Sequence, residues 1–300
     1  MWLELQIFGF RALWSPYFLI FIVGLAIAYF LITTVYRKKF GENEKPSSKQ
    51  QAYFYIGLFL LYLVKGSPVD LLSHIMLTAH MIQMAIFYFV FPIFIYKGIP
   101  IWVWEYVVNA KYIKPIVTFL TKPLIALLVF NALFSIYHMP AIFDFSKSSQ
   151  LAHSSISILL LIFSFVMWWP IISPIKRLDT LKPLLKMAYL VGSAAIITIA
   201  CALIIFASNP VYSAYTSEGA WLQALSLCVP GDVLLGLQFT LSGPEMFSPF
   251  SIMEDQQLGG IIMKFIQEIV YGILIGRIFF KWFSKKNMKV DPVPKTLENY

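Results

Sequence analysis

The amino-acid sequence predicts an all-α integral membrane protein, a bundle of seven transmembrane helices with its N-terminus outside and its C-terminus in the cytoplasm. Three observations lead to this prediction. The chain is 59% hydrophobic and 13% charged, with a mean hydropathy of +0.75, whereas soluble domains carry roughly 25% charged residues. Its apolar residues form runs of about 20 residues, the length that crosses a hydrocarbon core. Its basic residues flank alternate runs, which predicts the orientation.

The apolar runs give the predicted spans in chain order, which are 16–36, 52–64, 71–96, 116–137, 151–172, 184–207 and 258–280. The second run is short for a span. The first lacks the basic segment and the small-residue cleavage site of a removable signal peptide, so we expect it to be retained. The residues before it, 1–14, are predicted to lie along the membrane interface with Trp2 and Trp14 as aromatic anchors.

Basic residues predict which ends of the spans face the cytoplasm. Eighteen follow the first, third, fifth and seventh runs: Arg37, Lys38, Lys39, Lys45, Lys49, Lys97, Lys111, Lys114, Lys122, Lys176, Arg177, Lys182, Lys186, Lys281, Lys285, Lys286, Lys289 and Lys295. The opposite side holds only Arg11, Lys65 and Lys147. By the positive-inside rule the first side is cytoplasmic, and we expect a multi-pass protein of the cell membrane. The net charge of +8 then forms a collar that faces lipid headgroups, and nucleic acid is not an expected partner.

Residues 1–280 are predicted to form one membrane domain, and 281–300 a disordered cytoplasmic tail. One loop is long, the extracytoplasmic segment 208–257, and it has no Lys or Arg. It contains five acids, Glu218, Asp232, Glu245, Glu254 and Asp255. A short apolar piece within it, 233–241, is predicted to be re-entrant or an interfacial helix. Two cysteines, Cys201 and Cys228, are interpreted as free thiols, with a disulfide between them as the alternative.

All four histidines fall near the predicted outer face. His74 and His80 lie in the segment "SHIMLTAHMIQM" (73–84), His138 ends the fourth span and His153 begins the fifth. If 71–96 is one helix, Met76, His80 and Met84 share one stripe, while His74 faces elsewhere. Imidazole and thioether groups together suit Cu(I). Alternatively, the methionines fill gaps in the core and the histidines are amphipathic side chains at the interface.

Several acidic and ionisable residues have two interpretations. Asp70 and Asp255 begin the third and seventh spans, either as helix caps or, with Asp144 near His153, as partners that orient a ligating histidine. Lys264 and Glu268 lie four residues apart within the seventh span. They either pair with each other or handle ions or protons, because charge within a bilayer is costly.

Four blocks of the chain resemble the multi-span CtaG family. They are "GSPVDLLSHIMLTAHMIQMAIFYFVFPIFIYKGIP" (66–100), "YHMPAIFD" (137–144), "AHSSISILLLIFSFVMWWP" (152–170) and "EDQQLGGIIMKF" (254–265). The resemblance implies a membrane assembly factor for cytochrome c oxidase that helps to place copper in the CuB centre of subunit I. It maps the family's histidines onto His80, His138 and His153 and its acidic motif onto Asp255. Met84 stands where many relatives have a second histidine, which gives a softer ligand set.

We therefore expect an outward-facing Cu(I) site with His80, Met84, His138 and His153, and with His74 and Met76 as further candidate ligands. The expected partners are oxidase subunit I and an extracytoplasmic copper donor, and a homo-oligomer is a further option. The sequence shows neither a Ser/His/Asp arrangement nor a phosphate-binding loop, so we do not expect an enzyme. The alternatives are a metal-independent scaffold for subunit I, a haem-binding protein, and a transporter built around Lys264 and Glu268.

Overall fold

The computed structural model describes residues 2–41, 44–237, 240–241 and 243–287, and this part of the chain is helical without strands. The helices, numbered in chain order, are α1 Trp2–Leu5, α2 Gly9–Trp14, α3 Pro16–Phe30, α4 Ser48–Lys65, α5 Pro68–Ile75, α6 Leu77–Ala85, α7 Phe91–Gly98, α8 Ile101–Val108, α9 Ile113–Leu120, α10 Pro123–Tyr137, α11 Pro140–Lys147, α12 Gln150–Ile172, α13 Pro183–Ile205, α14 Ser213–Thr216, α15 Glu218–Leu225, α16 Gly231–Leu237 and α17 Ile252–Asn287. Two π-helical turns, Leu31–Val35 and Ile86–Val90, extend α3 and join α6 to α7.

Five helical stretches of the described residues are long and apolar enough to cross a membrane: Gln6–Val35, Leu77–Gly98, Gln150–Ile172, Pro183–Ile205 and Ile252–Ser284. Two bent pairs pass the same test together, α4 with α5 at 41° and α9 with α10 at 84°. If each pair is one span, the total is seven. The prediction of an all-helical structure is confirmed for the described residues, and the five to seven candidate spans fit a membrane protein. The count of seven and the orientation stay predictions.

The prediction that residues 71–96 form one continuous helix is wrong, because the backbone breaks at Met76. This residue is extended (φ −129°, ψ 137°), so α5 ends at Ile75 and α6 begins at Leu77. Residues 71–75 belong to α5, which continues from α4 across a bend. Met76 therefore does not share a helical stripe with His80 and Met84, and His74 lies on a different helix from both.

The break is held by the first turn of α17. The Asp255 carboxylate accepts hydrogen bonds from the amides of Leu77 (2.6 Å) and Thr78 (3.3 Å). These amides belong to the first turn of α6, where no intrahelical partner exists. One turn further along α17, a Cβ on Gly259 would lie 3.1 Å from the Thr78 nitrogen, so glycine permits the close approach of the two backbones. Asp255 is thus a helix cap, as one interpretation predicted, but it caps a helix distant in sequence.

A second core lies at the end of the bundle where α5 begins. It contains Leu5, Phe8, Ala12, Leu13, Leu71, Ile75, Trp221, Leu225, Val229, Leu241 and Phe247. The N-terminal residues, predicted to lie along the interface, pack through α1, α2 and the turn between them against α5 and the long loop. That loop contains α14, α15 and α16, and α16 (Gly231–Leu237) includes residues 233–237 of the predicted apolar piece 233–241. Positions 238, 239 and 242 lie outside the described residues.

The last helix is longer than predicted. It continues to Asn287, past the boundary at residue 281 predicted for the tail, and 288–300 lie outside the described residues. Within α17 the Lys264 ammonium pairs with the Glu268 carboxylate, and it donates to the Gln267 side chain at 2.9 Å. This contact supports the structural interpretation of the intramembrane charges. Both cysteines are free thiols.

Replacing Gly98 by alanine is expected to lower the stability of the protein by about 2 to 3 kcal/mol. A Cβ at this position would lie 2.6 Å from the backbone Cα and nitrogen of Phe54, so α4 and α7 would have to separate. Gly276→Ala is the matched control, because nothing lies within 4 Å of a Cβ there, and alanine is the better helix former. Thermal unfolding in detergent, followed by tryptophan fluorescence, measures both. Equal unfolding temperatures for the two variants would contradict the close helix contact.

Candidate metal-binding site

The four histidines gather at one end of the bundle in two pairs. His80 and His138 both lie against the ring of Tyr137, at 6.1 and 5.0 Å between ring centroids. His74 and His153 face each other at 5.2 Å between ring centroids. The histidines come from α5, α6, α12 and the end of α10, and α11 packs beside them. The predicted gathering at one end is therefore observed.

His80 is enclosed by aromatic side chains. Its Nε2 lies 3.3 Å from the Tyr137 hydroxyl, and the Phe143 ring meets the imidazole edge-on at 5.1 Å. The side chain is 1% exposed. Its other ring nitrogen, Nδ1, has no hydrogen-bond partner among the described residues.

His138 has its tautomer fixed by the backbone. Its Nδ1 lies 2.7 Å from the Phe134 carbonyl oxygen, which can only accept, so Nδ1 carries the proton. The buried Nε2 then presents a lone pair, and it has no partner in the described part of the chain. Burial lowers the pKa of His138 to about 4, against a smaller opposite effect of the Phe134 carbonyl. The ring is therefore neutral at pH 7, the form in which histidine binds metals.

The second pair lies beside a buried lysine. The Lys147 amine is 3.3 Å from Nδ1 of His74 and 5.7 Å from the centre of the Phe143 ring. His153 is partly buried, and its Nδ1 has no partner among the described residues. Nδ1 of His153 is thus a buried nitrogen without a partner in this part of the chain, whereas Nδ1 of His74 lies beside the amine.

Sequence analysis missed Lys147, which it treated only as one of three basic residues on the outer side. The side chain is 2% exposed and makes no ion pair within the described residues. Burial lowers the pKa of Lys147 to about 7, with Lys65 acting in the same direction and Asp70 and Cys228 opposing. A signal was present, because positions 143, 146 and 147 share one helical face and all three are buried.

The two predicted methionine ligands have different surroundings. Met84 is buried one turn beyond His80 on α6, and it contributes to the main core. Met76, at the helix break, lines a small cavity together with Tyr215 and Asp255. Because of the break, the two methionines no longer flank His80 on one helical stripe.

The three aspartates predicted to orient histidines have other partners. Asp70 accepts from the Gln83 side chain at 2.7 Å and pairs with Lys65 at 3.3 Å. Asp144 accepts from the amides of Ser213 (3.0 Å) and Ala214 (3.1 Å), which begin α14. Asp255 caps α6. Each carboxylate thus fixes a helix, a side chain or a loop that lies near the histidines.

The arrangement offers unsatisfied nitrogen ligands without a complete coordination sphere. His80 Nδ1, His138 Nε2 and His153 Nδ1 are buried and lack hydrogen-bond partners among the described residues. No group of three or more His, Cys, Asp or Glu side chains in that part of the chain is close enough to hold a metal ion. The structure thus brings the predicted ligands to one end of the bundle as pairs.

These features define the class of the protein, a multi-span helical membrane protein with buried imidazoles gathered at one end. Residues 27–285 match the family model described as cytochrome c oxidase caa3 assembly factor. The chain therefore belongs to the CtaG family of cytochrome c oxidase assembly factors, and the resemblance found in the sequence is confirmed. A search of curated proteins gave no match. A search of solved structures gave none either.

Proposed function

We propose that this assembly factor binds Cu(I) through His80, His138 and His153, with Met84 as a fourth ligand, and delivers it to the CuB centre of oxidase subunit I. The observation that carries the proposal is the set of three buried ring nitrogens that lack hydrogen-bond partners in the part of the chain that the structure describes. Buried polar atoms are nearly always hydrogen-bonded, and an exception points to an ordered water, an ion or a functional role. Three exceptions in histidines at one end of the bundle favour a bound cation.

The donor set suits copper in its reduced state. Cu(I) favours imidazole and thioether ligands, whereas Mg²⁺ and Ca²⁺ favour oxygen. His80 and His138 flank the same tyrosine ring, so one buried region of the protein holds both imidazoles. An incomplete site also suits a metal that must be released. His74, whose Nδ1 lies beside the Lys147 amine, and Met76, at the helix break, are further candidate ligands outside this set.

The route of copper follows from the proposed orientation. With seven spans and the N-terminus outside, the histidines face the extracytoplasmic side, where a copper donor delivers the ion. The acidic residues of 208–257, which has no basic residues, favour the approach of a cation. Release to subunit I then takes place by lateral contact within the membrane.

Replacing His80 by alanine is expected to weaken Cu(I) binding tenfold or more, roughly 1.4 kcal/mol, because one of the unsatisfied nitrogens is lost. Competition with a chromophoric Cu(I) chelator measures the affinity of the detergent-purified protein. Met139→Leu is the matched control, because it removes a thioether next to His138 whose side chain is 56% exposed. We expect the control to bind like the wild type, at about one copper per chain.

Two results together would overturn the copper proposal and favour a metal-independent scaffold. The first is Cu(I) binding by the purified wild type no greater than in detergent alone, and the second is intact oxidase assembly in cells that carry the His80 variant. A Soret band in the purified protein would favour a haem-binding function.

A further inference from the structure

A cavity at the opposite end of the bundle from the histidines combines an apolar wall with two cations. Its volume is about 240 Å³, and it lies between α4, α7 and α17. The cationic lining residues are Lys97 and Arg277, and Tyr53 lies beside them. No acidic residue lines it. The Lys97 amine lies 5.5 Å from the centre of the Tyr53 ring, so the three side chains belong to one mouth of the cavity.

No acidic side chain in the described part of the chain pairs with the two cations. Neither Lys97 nor Arg277 makes a salt bridge among the residues that the structure describes. The charged groups that act on Lys97, which are Arg277 and Lys49, are both cations. Two uncompensated cations that converge on one half-buried site create a positive potential that favours an anion.

The rest of the cavity lining is mostly apolar and extends along α7 and α17 away from the two cations. Val90 on the turn before α7 and Val270 on α17 also line the cavity. Each precedes its cation by seven positions, which at 1.5 Å per residue places the apolar wall roughly 10 Å deep. Ile273, between Val270 and Arg277, is 51% exposed, so this wall is accessible from the membrane side.

We propose that this cavity binds an anionic phospholipid, with the phosphate between Lys97 and Arg277 and an acyl chain along the wall formed by Val90, Val270 and Ile273. Basic pockets between transmembrane helices on the cytoplasmic side recognise anionic headgroups in this way. A free phosphate would leave the apolar wall uncovered, so a lipid is the occupant that matches both parts of the lining. The proposal does not depend on copper.

The test uses native mass spectrometry of the full chain in detergent, titrated with dioleoyl phosphatidylglycerol or dioleoyl phosphatidylcholine. We expect one tightly bound phosphatidylglycerol, at least tenfold preferred over phosphatidylcholine. The double variant Lys97→Gln/Arg277→Gln should lose this affinity tenfold or more. The control Lys111→Gln/Lys114→Gln removes the same charge from exposed positions outside the cavity, and it should stay within twofold of the wild type.

A second variant keeps the test decisive if the charge variant does not fold. Val270→Phe fills part of the cavity beside the apolar wall and leaves both cations in place, so it should also lower the affinity for phosphatidylglycerol. Equal losses in the cavity and control charge variants would overturn the proposal in favour of general surface electrostatics. Displacement of the lipid by millimolar inorganic phosphate, or unchanged binding in Val270→Phe, would overturn it in favour of a free-anion site.

Discussion

Replacing Asp255 by alanine is expected to lower the free energy of unfolding by roughly 2 to 6 kcal/mol, since each of two buried amides left without an acceptor costs about 1 to 3 kcal/mol. The amides are those of Leu77 and Thr78, at the start of the helix that carries His80. Without the carboxylate this first turn keeps its backbone packing against α17 but loses the acceptors of its two amides. We therefore expect a lower unfolding temperature in detergent and less assembled oxidase in membranes that contain the variant.

Asp255→Asn tests how much of the stabilisation depends on the negative charge, and Asp232→Ala is the control. Asp255→Asn keeps one acceptor oxygen, so its loss of stability should be intermediate. Asp232→Ala removes an exposed acid from the same loop region and should unfold like the wild type. If the Asp255 and Asp232 alanine variants unfold at the same temperature, the carboxylate does not hold the broken helix.

Replacing Lys147 by methionine is expected to stabilise the protein by a few kcal/mol near pH 6 and to flatten its pH dependence. The pKa of Lys147 is lowered by burial to about 7, whereas a lysine in the unfolded chain has a pKa near 10.4. Below pH 7 both states carry the proton, and the native state bears the full cost of a buried cation. Between pH 7 and 10 the native state releases the proton first, so wild-type stability rises with pH.

Thermal unfolding of the wild type and the variant at several pH values measures this difference. The charge of Lys147 also acts on His153 and Cys228, so the difference reports the amine together with the neighbours that feel its charge. Lys111→Met, at an exposed position, should reproduce the wild-type profile. A constant difference between wild type and Lys147→Met from pH 6 to pH 10 would show that the amine is not buried as a cation.

Sequence reasoning reached the helical class, most of the spans and the common end of the histidines, because these depend on local hydropathy and chain order. The break at Met76 could not be predicted in the same way. Residues 71–96 are mostly apolar and have no Gly or Pro before position 92, and the carboxylate that caps α6 lies 178 positions away in the sequence. Helical periodicity assumes an uninterrupted backbone, so it placed Met76, His80 and Met84 on one stripe.

The surroundings of the histidines depended on tertiary contacts. Asp144 lies close to His153 in sequence, yet its oxygens bind the amides that begin α14. Lys147 is a loop lysine by composition, but the packing of α11 buries it against His74. Both outcomes depend on how 208–257 packs beside α11 at the end of the bundle that holds the histidines. The turn residues of that loop do not predict this packing.

The short helix α14 connects parts of the chain that bear histidines. The Tyr212 hydroxyl, just before α14, donates to the His138 carbonyl at 2.8 Å, and the Tyr215 hydroxyl donates to the Ser73 carbonyl at 2.7 Å, next to His74. Asp144 anchors the start of α14 to α11. A displacement of α14 therefore pulls on two histidine-bearing segments at once. A partner that docked on 208–257 would therefore shift two imidazole-bearing segments together without touching either imidazole.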